Sequence, residues 1–124
     1  GMSTAIRAGI VALPADVDAA IIALGDQPLV DARVVEALLA RWREGGASAV
    51  QPCYEDGRGH PVLFDASLFP ALRALEGDVG ARAVLDSAGD ALALLSVAGS
   101  RPIDVDTPEA LRSVAATVAR RARG

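Results

Sequence analysis

Apolar residues recur at helical spacing in some stretches of the chain and bunch into short runs in others, and the two kinds alternate. Ile6, Ile10 and Leu13 fall on one face of a short helix opened near Ser3 or Thr4 and ended by Pro14. A run over residues 19–25 reads as a strand. Asp31 then caps a helix carrying Val34, Val35, Leu38, Leu39 and Trp42 on one side, and Gly45-Gly46 stops it. A second strand covers roughly residues 47–54, and the turn-rich segment 55–61 returns the chain to Val62-Leu63-Phe64. Two short helical patterns follow, one with Leu68, Phe69, Leu72 and Leu75, the other over Ala81 to Leu85. Residues 91–97 read as a third strand and 103–105 as a short extended piece. Thr107-Pro108 opens a last helix with Leu111, Val114 and Val118 inward. The order α-β-α-β-α-α-β-α predicts a layered α/β domain with a mostly parallel sheet.

Composition narrows this picture without redirecting it. At 124 residues the chain is one domain, 1–124, long enough to bury roughly 60% or more of its unfolded surface. With 52% hydrophobic and 23% charged residues it is globular, and no apolar stretch approaches the roughly 18 residues needed to span a bilayer. No secretory signal pattern opens it, and a single cysteine, Cys53, forms no internal disulfide, so a reducing, cytoplasmic setting is expected. Cys53 in its strand reads as a half-buried thiol, with a nucleophile as the alternative.

All twelve basic residues are arginine, against sixteen acids, for a net charge of −4. That balance excludes the basic footprint of a nucleic-acid binder. Arg120, Arg121 and Arg123 form the one basic cluster, which complements the negative end of the last helix or serves a phosphate or partner contact. Trp42, at core spacing, is expected inside.

The candidate chemistry lies where strands end. The run Ala20-Ile21-Ile22-Ala23-Leu24-Gly25 stops at Asp26-Gln27-Pro28, and in open α/β sheets ligands sit just beyond the carboxyl ends of strands. A second acidic strand end, Ile103-Asp104-Val105-Asp106-Thr107-Pro108, makes Asp26 and Asp106 a candidate metal clamp. Each acid also has a plainer role, as a turn residue before Pro28 or as a carboxylate at a helix N-terminus.

Four segments in order, Leu24-Gly25-Asp26-Gln27-Pro28-Leu29-Val30, Gly59-His60-Pro61-Val62-Leu63-Phe64, Glu76-Gly77-Asp78-Val79-Gly80-Ala81-Arg82 and Asp104-Val105-Asp106-Thr107-Pro108-Glu109, closely resemble the molybdenum cofactor cytidylyltransferases within the MobA-like nucleotidyltransferases. The resemblance covers essentially the whole chain but corresponds to the later part of the family domain. It implies a three-layer Rossmann-like nucleotidyltransferase fold, truncated at the N-terminus. The family's leading strand, its glycine-rich turn and a downstream lysine, which bind base and triphosphate, have no counterpart in these residues.

The same resemblance implies a reaction in which CTP passes its cytidine monophosphate to the terminal phosphate of a molybdopterin-type cofactor, with Mg²⁺ neutralising the phosphates. It matches Asp26 to the family's metal-binding acid and Asp106 to the second metal position, with Asp104 the less favoured choice. Gln27, His60, Asp78 and Arg82 are the implied substrate contacts, although His60 in a Gly-Pro turn, Asp78 as a helix cap and Arg82 as a surface cation also have structural readings. Lacking the glycine-rich turn, the isolated chain is expected not to catalyse transfer. The alternatives are a non-catalytic remnant that binds cofactor or a partner subunit, and a transferase of another base or acceptor. A sheet stripped of its leading strands should expose an edge at Ala19 to Leu24 and self-associate through it.

Overall fold

The computed structural model describes residues 2–24, 32–75, 81–101 and 114–119. The chain forms α1 (Met2–Val11), β1 (Ala19–Leu24), α2 (Ala32–Arg43), β2 (Ala49–Tyr54), β3 (Gly57–Arg58), β4 (Val62–Asp65), α3 (Phe69–Arg73), α4 (Arg82–Ala88), β5 (Leu92–Ser96) and β6 (Val114–Ala119), with single 3₁₀ turns at Ala66–Leu68 and Gly89–Ala91. The six strands make one sheet flanked by helices, so the α/β, three-layer expectation holds.

The sheet is mostly antiparallel, which corrects the parallel arrangement expected from sequence. β4 pairs antiparallel with both β1 and β2, β3 pairs antiparallel with β2, β6 pairs antiparallel with β1, and only β2 and β5 run parallel side by side. The physical reason is the hairpin after β2. A return through residues 55–61 is too short for a helical crossover, so β4 comes back against β2 and inserts between it and β1. β1, β2 and β5 still point the same way, because β1 and β2 are each antiparallel to the intervening β4. The α2 crossover between β1 and β2 covers one face of the sheet, and α3 and α4, on the connection from β4 to β5, cover the other, which keeps the doubly wound logic.

A second correction concerns the chain end. Residues 114–119 were expected inside a helix, but Val-Ala-Ala-Thr-Val-Ala forms β6, in register with β1 from Ala19↔Ala119 to Leu24↔Val114. Three of its six residues are β-branched, a composition that favours a pleated, half-buried strand over a helix. β1 is therefore flanked on both sides, and the open edge expected at Ala19 to Leu24 is closed. Among the described strands, β3, β5 and β6 each pair on one side only.

Alternation in the strands divides the core between the two faces. Ala20, Ile22, Ala49, Val62 and Phe64 point to α1, α3 and α4, where they meet Ile6, Ile10, Phe69, Leu72, Val84 and Leu85. Ala19, Ile21, Val50 and Leu63 point the other way, onto Val34, Leu38 and Trp42 of α2. The helical spacings of Ile6 and Ile10 and of Val34, Leu38 and Trp42 thus mark core faces, as the sequence predicts. α1 already includes Ser3 and Thr4, so neither is its cap. Gly45 and Gly46, at φ of 89° and 83°, end α2 in the left-handed region that favours glycine.

Trp42 is core and also tied to the β4 end. Its indole N–H donates to Asp65 Oδ1 at 2.8 Å, and Asp65 Oδ2 accepts from the Ser67 backbone N–H at 3.0 Å, capping the 3₁₀ turn. Replacing Asp65 with Ala removes both bonds, so we expect a loss of about 2 kcal/mol in urea unfolding. A change below about 0.5 kcal/mol would show that neither bond holds the helix to the sheet.

Candidate functional site

The shared direction of β1, β2 and β5 brings their carboxyl ends, Leu24, Tyr54 and Ser96, to one rim of the sheet. The antiparallel strands enter from that rim. Val114 of β6 pairs with Leu24, Gly57 of β3 with Tyr54, and Val62 of β4 with Ile22. His60 and Pro61, immediately before Val62, therefore stand at the rim between the ends of β1 and β2. This is the edge at which an α/β sheet presents ligands.

Two chain segments that carry the predicted acids join this rim at their described flanks. Asp26 follows Leu24 by two residues. Asp104 and Asp106 lie on the connection from Arg101, beside the β2–β3 turn, to Val114, beside Leu24. Asp26, Gln27, Asp78, Asp104 and Asp106 themselves lie outside the described residues.

A polar frame stiffens the β2–β3 hairpin at this rim. Gln51, 7% exposed and otherwise surrounded by apolar strand residues, donates through Nε2 to the Gly59 carbonyl at 3.3 Å and accepts from Arg58 Nε at 2.7 Å. The Tyr54 hydroxyl donates to the His60 carbonyl at 2.8 Å, and the Gly59 N–H donates to the Pro52 carbonyl at 3.0 Å. The His60-Pro61 peptide is cis. Pro52, which has no N–H to offer, falls where β2 changes partner from β4 to β3. A Cβ on Gly59 would stand 3.1 Å from the Tyr54 ring and 3.2 Å from the Arg101 side chain, so a side chain before His60 would require both neighbours to give by a few tenths of an ångström.

On the opposite side of the hairpin, Asp56 holds the chain leaving β5. Its Oδ1 accepts from the Arg101 backbone N–H at 2.8 Å, and Oδ2 lies 3.5 Å from Arg101 Nε. The Arg101 backbone hydrogen bond is the main cause that lowers the Asp56 pKa from its ordinary 3.8, with the nearby guanidinium a smaller one. A carboxylate with a depressed folded-state pKa stabilises its loop at pH above its unfolded pKa and loses that effect as pH falls through the folded value. The Arg101 amide resonance should therefore titrate with a midpoint below 3.8. A midpoint at or above 3.8 would break the assignment.

Of the predicted substrate contacts, His60 and Arg82 fall within the described residues, and His60 is on the rim. Arg82 is exposed in the first turn of α4, where Ala81, not a carboxylate, occupies the N-cap. Cys53 is half-buried, as expected. Gln51, Arg58 and Asp56 were not foreseen as rim residues. Their signal in sequence is the alternation that puts Gln51 and Cys53 on one face of β2, together with the Asp56-Gly57 turn that folds Arg58 back beside them.

Among the described residues no group of three His, Cys, Asp or Glu side chains is placed to hold a metal ion, and no helix is long and apolar enough to cross a membrane.

Residues 1–92 match the MobA-like NTP transferase domain. The chain belongs to that family. Solved structures agree: Rv0371c of Mycobacterium tuberculosis H37Rv in complex with manganese superposes with a TM-score of 0.73 at 28% identity, covering 86% of this chain and 56% of that one. A second Rv0371c structure from the same strain gives 0.75 at 27% identity over 89% and 57%, and an Rv0371c homologue from Mycobacterium sp. strain JC1 gives 0.72 at 28% identity over 84% and 52%. This MobA-like chain thus spans somewhat over half the length of these relatives. No curated protein sequence matches it.

Proposed function

We propose that this MobA-like chain supplies the metal and acceptor side of a nucleotidyltransferase site, joining CTP to the terminal phosphate of a molybdopterin-type cofactor with release of pyrophosphate. The observation that carries this reading is the common rim. The end of β1, which leads to Asp26, the loop holding His60, and the entry to β6, which follows Asp104 and Asp106, are brought to one edge by strand pairing. Family membership supports nucleotidyl transfer as the reaction class. The choice of cytidine and of a pterin acceptor rests on the motif resemblance in the sequence.

In this reading Asp26 and Asp106, with Asp104 as the less favoured alternative, hold a divalent cation, Mg²⁺ in the cell. Bound there, the ion would neutralise phosphate charge and orient the phosphoryl oxygens. The protein's own work is positioning. His60 offers an imidazole to a phosphate or pterin carbonyl, Gln27 orients a substrate, and Asp78 and Arg82 contact the acceptor or pyrophosphate. A nucleoside triphosphate brings about four negative charges, and these 124 residues contain no lysine and no glycine-rich phosphate turn, so they do not complete the site unaided.

The test is an assay of pyrophosphate release from CTP, ATP and GTP with a molybdopterin-type acceptor and Mg²⁺ or Mn²⁺. The expected result is transfer, fastest with CTP, when the glycine-rich segment is supplied in the same or a separate polypeptide, and none from the 124 residues alone. Absence of metal-dependent release from every nucleotide with that segment present would overturn the proposal. Release with a different base or acceptor would keep the reaction class and change its substrates.

A further inference from the structure

Among the described residues, the helices on the α1/α3 face of the sheet do not cover it to the rim. Ala49 and Leu92, at the starts of β2 and β5, lie under α1, α3 and α4. Further along the same face the register places Gln51 beside Leu94 and Cys53 between Ser96 and Arg58. Here Cys53 is half-buried, Arg58 and Ser96 are exposed, and Leu94 is 54% exposed, the only large apolar side chain besides Val11 so exposed among the described residues. The result is a shelf at the carboxyl ends of the one adjacent parallel pair, the place where backbone direction favours ligands in α/β sheets.

Arg58 on this shelf is not a loose surface cation. Its Nε is held at 2.7 Å by a nearly buried Gln51 oxygen, and Gln51 is itself fixed by its bond to the Gly59 carbonyl. That arrangement uses the inner edge of the guanidinium and leaves its terminal nitrogens with no hydrogen-bond or carboxylate partner among the described residues. A planar fork whose rotamer is already fixed loses little freedom when it takes a two-oxygen acceptor. A buried amide spent on an otherwise exposed arginine is an expensive way to hold a mere solvent contact.

We propose that this shelf is an oxyanion-binding site. Arg58 grips a phosphate monoester or a carboxylate through its terminal nitrogens, Gln51 is the positioning residue that aims it, and Leu94 supports a flat or apolar body attached to the anion. The site stands on the hairpin geometry and does not depend on nucleotidyl transfer, so it can survive failure of that reading and the reverse.

The test uses two matched probes, phenyl phosphate and benzoate, titrated into the ¹⁵N-labelled 124-residue chain while the Arg58 Nε–Hε resonance is followed. The expected result is a slowly exchanging Nε–H that shifts saturably, with Kd on the order of millimolar. Arg58→Ala should remove saturation, and Arg58→Lys should weaken binding about tenfold, because an ammonium keeps the charge but not the fork. Arg58 is exposed, so both variants should fold. Gln51→Leu should weaken binding with Arg58 still present, which a purely structural Arg58–Gln51 bond would not predict. Leu94→Ser should weaken phenyl phosphate more than inorganic phosphate. Saturation by only one probe identifies the anion as phosphate or carboxylate, and saturation by both defines a general oxyanion site. No saturation by either up to about 50 mM, or binding unchanged in Arg58→Ala, overturns the proposal.

Discussion

Asp26→Asn should lower the affinity of the chain for Mn²⁺ on the order of 100-fold and, in assays supplied with the glycine-rich segment, take nucleotidyl transfer with it. The substitution keeps the size of the side chain and its carbonyl oxygen but removes a full negative charge, and hard divalent cations owe most of their affinity to charged oxygen ligands. Losing even an outer partner of a ligand typically weakens a metal site 10- to 100-fold, so loss of a ligand's charge should reach the upper end of that range. The chain geometry makes Asp26 the first acid to test, because it follows β1 by two residues, at the rim shared with His60 and the entry to β6. Water-proton relaxation by Mn²⁺ gives the affinity directly and does not require turnover. Asp106→Asn should act in the same direction and Asp104→Asn less. Unchanged Mn²⁺ affinity in Asp26→Asn would remove the rim carboxylates from the proposed site, whatever the activity showed.

Much of the fold is legible in the sequence because apolar spacing reports burial. Val34, Leu38 and Trp42 recur at intervals of four and are buried against the sheet, and Ile6 and Ile10 behave the same way on the other face. Strand direction is less legible, since a run such as Val62-Leu63-Phe64 looks the same whichever way it pairs. What decides it is the length of the return before it, and the seven residues 55–61 could already have been recognised as a hairpin connection. The end of the chain misleads for another reason. Thr107-Pro108 is a good helix opening, but a start signal says little about residues 114–119, where Val114, Thr117 and Val118 favour an extended strand.

The site divides in the same manner. Acids after a strand and a Gly-His-Pro turn stand out because polar residues there interrupt an apolar pattern. Gln51 and Arg58 do not stand out, because one is a single polar residue within a strand and the other a single cation in a turn. Only the register Cys53↔Arg58 puts them on one face and turns two unremarkable residues into a braced pair.

Breaking β6 should expose β1 and drive self-association. β6 covers all six residues of β1, from Ala19↔Ala119 to Leu24↔Val114, and so occupies the edge that the sequence, with no strand predicted there, leaves open. In an antiparallel ladder successive N–H groups alternate between the partner strand and the outside, so prolines at both Ala116 and Thr117 remove a β1 bond whichever of the two donates inward. The unpaired edge of β1 would then present a row of backbone donors and acceptors beside Ile21 and Ile22, both 3% exposed while the sheet is intact. Light scattering on the Ala116→Pro, Thr117→Pro double variant should show a dimer or larger species at concentrations where the parent chain shows no such shift, with a loss of roughly 2–4 kcal/mol in stability. Protection of the Ile21 and Ile22 amides from hydrogen exchange gives the residue-level check, because those that donate to β6 should lose protection while those that donate to β4 keep it. A variant with unchanged mass, unchanged stability and unchanged protection would mean that residues 114–119 do not hold β1 in solution, and the oligomer first expected at that edge would again become the better account of how β1 is covered.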